Sequence, residues 1–185
     1  MGESAGAPTR AASIAALSVT LTSVVFSHGR ESGPWGKKIT AMAALVRGLG
    51  HTAESVDYRG LDDPRMRVER LVDVATQLPR PIVLVGSSMG AHVSAAAVPR
   101  VEPIGVFLLA PAFYMPGFEA YTPQDVPCPT AIVHGWQDDI VPVENSIRWA
   151  REHRAALHVL DADHRLEDQI EAICALLAVF LASLH

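Results

Sequence analysis

The stretch Pro81-Ile-Val-Leu-Val-Gly-Ser-Ser-Met-Gly-Ala-His-Val-Ser-Ala-Ala-Ala97 decides the fold. Ile82 to Val85 are apolar and mostly β-branched, bounded by Pro81 and Gly86, which is the composition of a parallel strand covered on both faces. Beyond Ser88 the residues are small, so a helix there can lie close against a sheet. Gly86 and Gly90 flank the serine as G-x-S-x-G, and a very sharp strand-to-helix turn needs both, because side chains at those positions would collide. Such a turn lifts the Ser88 hydroxyl above the carboxyl edge of the sheet, where a nucleophile would stand.

Outward from this stretch the same alternation repeats. Thr20 to Ser27 reads as a strand running into the loop His28-Gly-Arg-Glu-Ser-Gly-Pro-Trp35. From Lys37, Ile39, Met42, Ala43, Val46 and Leu49 recur at helical spacing, and Gly48 and Gly50 end that helix. Thr52 to Tyr58 is a second strand, and Pro64 opens a helix with Val68, Leu71, Val72, Ala75 and Leu78 on one face. The helix after Ser88 is expected to close at Pro99. Ile104 to Leu109, Thr130 to Val133 and Leu157 to Leu160 read as further strands, with helices over Val143 to Arg154 and from Ile170 to the end. Strands alternating with helices imply right-handed βαβ units, hence a three-layer α/β sandwich with a mostly parallel sheet of about six strands. Ligands of such sheets sit beyond the carboxyl ends of the strands, where the loops starting at His28, Gly86, His134 and Asp161 all fall.

The 185 residues fit a single domain, with residues 1 to 12, rich in Gly, Ala and Ser, expected to be flexible. A net charge of -5 with scattered Lys and Arg provides no basic stripe, which argues against nucleic acid or an anionic membrane as the partner. A small molecule is the expected partner, and pairing with a second copy of the chain is compatible with the composition. Cys128 and Cys174 are too few and too far apart for a disulfide framework, so a reducing, cytoplasmic setting is expected. Ala11 to Phe26 superficially resembles the apolar part of a secretory signal, but Ser18, Thr20, Thr22 and Ser23 interrupt it and its end supplies a core strand.

A serine hydroxyl is a poor nucleophile at neutral pH unless a base lies within hydrogen-bond reach and a carboxylate orients that base. Candidates stand at strand ends in the chain order Ser88, Asp138, His164, the order used by this class of sheet. Asp139, Asp161 and Asp163 compete as the acid, and Ser87 as the nucleophile, although Ser87 falls outside the centre of the G-x-S-x-G turn. The glycines also partly mimic a dinucleotide fingerprint, but its middle glycine is Ser88, and Phe107-Leu-Leu-Ala-Pro111 lacks the acidic residue the fingerprint requires. The other histidines show no metal-ligand spacing, and His28 and His134, each before a glycine, read as loop-stabilising.

Together, His28-Gly29, Gly86-Ser-Ser-Met-Gly90, His134-Gly-x-x-Asp138-x-x-Val141-Pro142 and Asp163-His164 resemble the α/β-hydrolase superfamily, and the variant His28-Gly-x-Glu-Ser-Gly-Pro34 further resembles its small bacterial members without a lid. The resemblance covers the chain from Thr20 onward. It implies Ser88 as nucleophile, His164 as base, Asp138 as acid, and an oxyanion hole made by the backbone N–H groups of Arg30 and Met89. It implies hydrolysis of a small carboxylic ester or thioester with no metal or organic cofactor. No insertion between Leu109 and Thr130 is long enough for a helical lid, and Phe113, Tyr114 and Phe118 read equally as a substrate wall or as local packing. Two other outcomes fit the same motifs: a non-catalytic binding or scaffold protein that keeps the fold, and a lyase or C–C hydrolase using the same three residues.

Overall fold

Six strands pair into one sheet in the computed structural model, which describes residues 21–184. The strands are β1 (Ser23–Ser27), β2 (Thr52–Val56), β3 (Ile82–Ser87), β4 (Gly105–Leu109), β5 (Thr130–Gly135) and β6 (Ala156–Leu160). Their order is β2-β1-β3-β4-β5-β6, and every pairing is parallel. The helices are α1 (Lys37–Gly48), α2 (Pro64–Ala75), α3 (Met89–Val101), α4 (Val143–His153) and α5 (Ile170–Ala182). The stretch 1 to 12, expected to be flexible, and most of the apolar run from Ala11 lie outside the described residues.

Side chains alternate across the strands and so sort into two cores. Val24, Phe26, Val83, Val85, Phe107, Leu109 and Val133 pack with α1 and α5 on one face. Val25, Ile82, Leu84, Val106, Leu108 and Ile132 pack with α2, α3 and α4 on the other. This gives the three layers that the alternation of elements implies. The central strands are buried apart from Ser87 at the end of β3, whereas β2 and β6 are half-exposed at the edges.

Local chemistry fixes the element ends. Asp63 caps α2 by accepting a hydrogen bond from the Arg65 amide at 2.9 Å, and Pro64 occupies the first turn, where its missing N–H costs nothing. Helix α3 does not close at Pro99 as expected: it absorbs that proline in its last turn and ends at Val101, with Glu102 left-handed at φ 50°. A proline so near the end removes little of the helical ladder. Between β4 and β5 the chain forms only a three-residue 3-10 turn, Glu119–Tyr121, so no helical lid is present.

The order of strands reverses between β1 and β3: the chain leaves β1 toward β2, then returns to the other side at β3. Ligands of open α/β sheets bind at such a switch point, beyond the carboxyl ends of the two strands. The loops after Ser27 and Ser87 meet there.

Candidate active site

Ser88 joins β3 to α3 with φ 55° and ψ -119°, a backbone conformation that a non-glycine residue holds only where the surroundings enforce it. The surroundings are backbone. The Ser88 amide donates to the Leu109 carbonyl at 2.8 Å, and the Ser88 carbonyl accepts from Ala91, His92 and Ala112. A Cβ added at Gly86 would stand 2.4 Å from the Gly90 carbonyl oxygen, and one at Gly90 would stand 2.1 Å from that of Ser27. Helix α3 therefore rests directly on the strands, as the small residues after Ser88 suggest.

The three residues that the sequence singles out come together from three loops. Ser88 Oγ is 3.0 Å from His164 Nε2, and His164 Nδ1 is 2.7 Å from Asp138 Oδ2. The loops that carry the acid and the histidine are bound edge to edge: Trp136 N–H donates to the Leu160 carbonyl and Gln137 N–H to that of Ala162, both at 2.9 Å. Gly135 permits this, since a Cβ there would lie 2.2 Å from the Ala162 carbonyl oxygen.

The Asp138 side chain is fully buried. Burial alone pushes its carboxyl up, but hydrogen bonds from His134, His164 and the Val141 and Ile140 amides outweigh that and hold it well below the usual carboxylate range. Asp138 Oδ1 accepts from the Ile140 and Val141 amides at 2.9 and 2.8 Å. Of its competitors, Asp139 is exposed, Asp163 accepts from the Arg165 and Leu166 amides, and Asp161 accepts from the Gln137 side chain. Ser87 Oγ meets Lys38 Nζ at 3.2 Å rather than an imidazole. Burial pushes the Lys38 ammonium down to about 8, with Glu167, Asp163 and Asp138 opposing the shift.

On the opposite side of Ser88, the His28–Gly29 loop crowds the turn. A Cβ at Gly29 would be 3.6 Å from Ser88 Cβ. His28 accepts at Nε2 from the Tyr58 amide (3.0 Å), which leaves Nδ1–H to donate to the Gly29 carbonyl (2.7 Å). Burial pushes the His28 imidazolium down, in keeping with a neutral ring that must accept at one nitrogen. Arg30 follows Gly29 immediately, while Met89 opens α3, where the first helical N–H groups have no partner within the helix.

Sequence reasoning missed three contributors. Arg67 is buried and reaches the Gly29 and His28 carbonyls; its signal was a charge in line with Leu71 and Ala75 on the buried face of α2. Tyr58 is buried and bonds Ser27 Oγ at 2.8 Å. Ser146 on α4 bonds His134 Nδ1 at 2.7 Å.

The aromatic residues left open between substrate wall and packing divide. Phe113 is fully buried against Trp149, 5.0 Å between ring centroids, and belongs to the core, whereas Phe118 and Tyr121 are 65% and 69% exposed. Two surface clefts of about 410 and 480 Å³, beside Cys128 and beside Lys37, are lined by neither Ser88 nor His164. Among the described residues no three His, Cys, Asp or Glu side chains gather with metal-binding geometry, and no helix is long and apolar enough to cross a membrane.

A serine hydroxyl held against a histidine whose second nitrogen meets a buried carboxylate is an arrangement able to transfer an acyl group through the serine oxygen. The comparisons with known proteins agree in kind. The model of the alpha/beta hydrolase family matches residues 24–183. A protein from Xanthomonas campestris pv. campestris assigned to the alpha/beta hydrolase superfamily is 32% identical, with 88% of this chain and 97% of that one covered and a TM-score of 0.80. A serine hydrolase without lid, also from Xanthomonas campestris, shares the fold at 22% identity and a TM-score of 0.76, over 90% and 84% of the two chains. Est1E from Butyrivibrio proteoclasticus shares it at 18% identity and 0.66, over 88% of each. Among curated proteins, none matches the sequence.

Proposed function

The chain belongs to the alpha/beta hydrolase family, and from that premise we propose that it is a serine hydrolase cleaving a small carboxylic ester or thioester through an acyl-enzyme on Ser88. The observation that carries this reading is the continuous hydrogen-bonded line from Ser88 Oγ through His164 to Asp138, at 3.0 and 2.7 Å.

In the proposed cycle, Ser88 Oγ attacks the substrate carbonyl carbon while its proton passes to His164 Nε2. The carbonyl oxygen becomes an oxyanion facing the N–H groups of Arg30 and Met89. As the tetrahedral species collapses, the imidazolium gives its proton to the departing alcohol or thiol, and the acyl group stays on Ser88. Water then loses a proton to His164 and attacks the acyl carbon, and the returning proton restores the serine hydroxyl. Asp138 keeps the Nδ1–H tautomer throughout.

The 3.0 Å Ser88–His164 contact supports catalysis over a scaffold role, since a base must lie within about 3.2 Å of the proton it takes. The β4–β5 connection, with only a short 3-10 turn and no helical lid, supports a small ester rather than a long buried chain. A reducing setting such as the cytoplasm is part of the same reading, supported by Cys128 and Cys174 standing as free thiols. Net charge of -5 supports a small-molecule substrate rather than nucleic acid or an anionic membrane.

The test is labelling by a fluorophosphonate probe together with turnover of short-chain p-nitrophenyl esters. Both are expected in the native protein and absent in folded Ser88→Ala, and a native protein that does neither overturns the reading. Product analysis with a C–C substrate analogue separates hydrolysis of esters from the related lyase chemistry.

A further inference from the structure

Arg67 is the least exposed arginine or lysine among the described residues, at 2%. Its guanidinium is held by carbonyl oxygens: Nε donates to Leu61 at 2.6 Å, and Nη1 approaches those of Gly29 and His28 at 3.3 and 3.5 Å. The ring of Tyr58 lies 5.2 Å from its Cζ. The neighbouring Asp62 is 84% exposed and faces Arg30 at 3.9 Å instead. A buried cation is costly, so its position beside the loop next to Ser88 calls for a reason.

The peptide plane supplies one. Gly29 and Arg30 are joined by a trans peptide, the single cis bond among the described residues being Arg80–Pro81. In a trans unit the C=O and the N–H point to opposite sides. The Gly29 carbonyl is held by two donors, His28 Nδ1 at 2.7 Å and Arg67 Nη1 at 3.3 Å. Those donors therefore fix the direction of the Arg30 N–H on the far side of the plane. A cationic donor on the oxygen also polarises the amide and strengthens its N–H as a donor.

We propose that Arg67 is a positioning residue for ester cleavage: from beneath the His28–Gly29 loop it orients and polarises the Gly29–Arg30 peptide so that the Arg30 N–H is preorganised for the oxyanion. This rests on the serine hydrolase reading. His28 acts on the same oxygen as a neutral donor, and Arg67 adds the charge.

The experiment compares native protein, Arg67→Met and Arg67→Lys by steady-state kinetics on a p-nitrophenyl ester, with active sites counted by fluorophosphonate titration. A boronic acid serves as probe of the tetrahedral oxyanion, and thermal melting is followed in parallel. Arg67→Met is expected to lower kcat per titrated site by about 10- to 100-fold, less than the 10²–10³ that follows outright loss of an oxyanion donor. KM is expected to change by less than about twofold while boronate affinity falls by the same factor as kcat/KM, as an interaction made only in the transition state requires. Arg67→Lys, which keeps charge but not the fork, is expected in between, with the Arg30 amide resonance displaced in a ¹H–¹⁵N spectrum. Unchanged kcat and boronate affinity per site, or an unmoved Arg30 amide, overturns the proposal even if melting drops. A native protein that binds neither probe overturns the hydrolase reading itself, and this inference with it.

Discussion

One carboxylate oxygen serves two imidazoles: Asp138 Oδ2 stands 2.7 Å from His164 Nδ1 and 2.9 Å from His134 Nε2. His134 is fully buried, anchored at Nδ1 by Ser146 and within 3.0 Å of the Val141 carbonyl at Nε2. The acid is thus clamped from its own loop on one side while it holds the histidine on the other. Asp138→Asn is expected to lower kcat by about 10³–10⁴, because an amide cannot enforce the Nδ1–H tautomer. His134→Leu keeps the carboxylate but strands Ser146 and Val141, so about 1–3 kcal/mol of stability is expected to go, with a smaller loss of kcat. Urea titration and steady-state kinetics on the two variants check this ordering.

The residues that compete in sequence with the site separate cleanly by mutation. Ser87→Ala removes a hydroxyl bonded to Lys38 at 3.2 Å, and Asp139→Asn alters an exposed side chain. Both variants are expected to keep fluorophosphonate labelling and kcat within about threefold of the native protein, well short of the 10³ or more that loss of a triad member costs. Loss of labelling in Ser87→Ala would move the nucleophile.

Backbone contact makes the elbow intolerant of a single methyl. Gly90→Ala would place Cβ 2.1 Å from the Ser27 carbonyl oxygen, and neither chain can yield without moving the sheet. At least about 1–3 kcal/mol of destabilisation is expected. Gly48→Ala is the contrast, since nothing lies within 4 Å of the added carbon at the end of α1. There a gain of about 0.5–1 kcal/mol is expected from the reduced freedom of the unfolded chain. Thermal melts of the two variants should shift in opposite directions.

Acid should weaken the fold before any carboxylate is protonated. Burial pushes the His28 and His92 imidazoliums below their ordinary value of 6.5. Below pH 6.5 the unfolded chain therefore binds protons that the folded chain refuses, and stability is lost as pH falls, by at most about 1.4 kcal/mol per pH unit per histidine. The Asp138 shift has the same sign but acts only below its ordinary 3.8. Unfolding free energies from urea titrations at pH 7.5, 6.5 and 5.5 should decline in that order, with a smaller decline in His92→Gln. A flat profile would contradict neutral burial.

Most of the architecture was legible because the strand signal is local. Val83 to Val85 or Phe107 to Leu109 can be read as buried strands from composition alone, since a strand covered on both faces has no place for a polar residue. The three candidate site residues were legible for a related reason: each sits directly at a strand end, and all strands of a parallel sheet deliver their ends to one edge. Pro99 was misread as the end of its helix, because one lost donor near a helix end is tolerated. Phe113 stayed open between substrate wall and packing, because which adjacent aromatic turns inward is decided by Trp149 on the distant helix α4.

The sequence by itself therefore determined the order of strands and helices, the sharp turn at Ser88 and the chemical types at the sheet edge, all properties of short segments. Only the tertiary structure decided which carboxylate reaches His164, that a second imidazole clamps it, and that Arg67 lies under the Gly29–Arg30 peptide. Such contacts join loops and helices far apart in the chain, and their geometry is set by how α2, α4 and the β5 and β6 loops pack on the sheet, which no local pattern encodes.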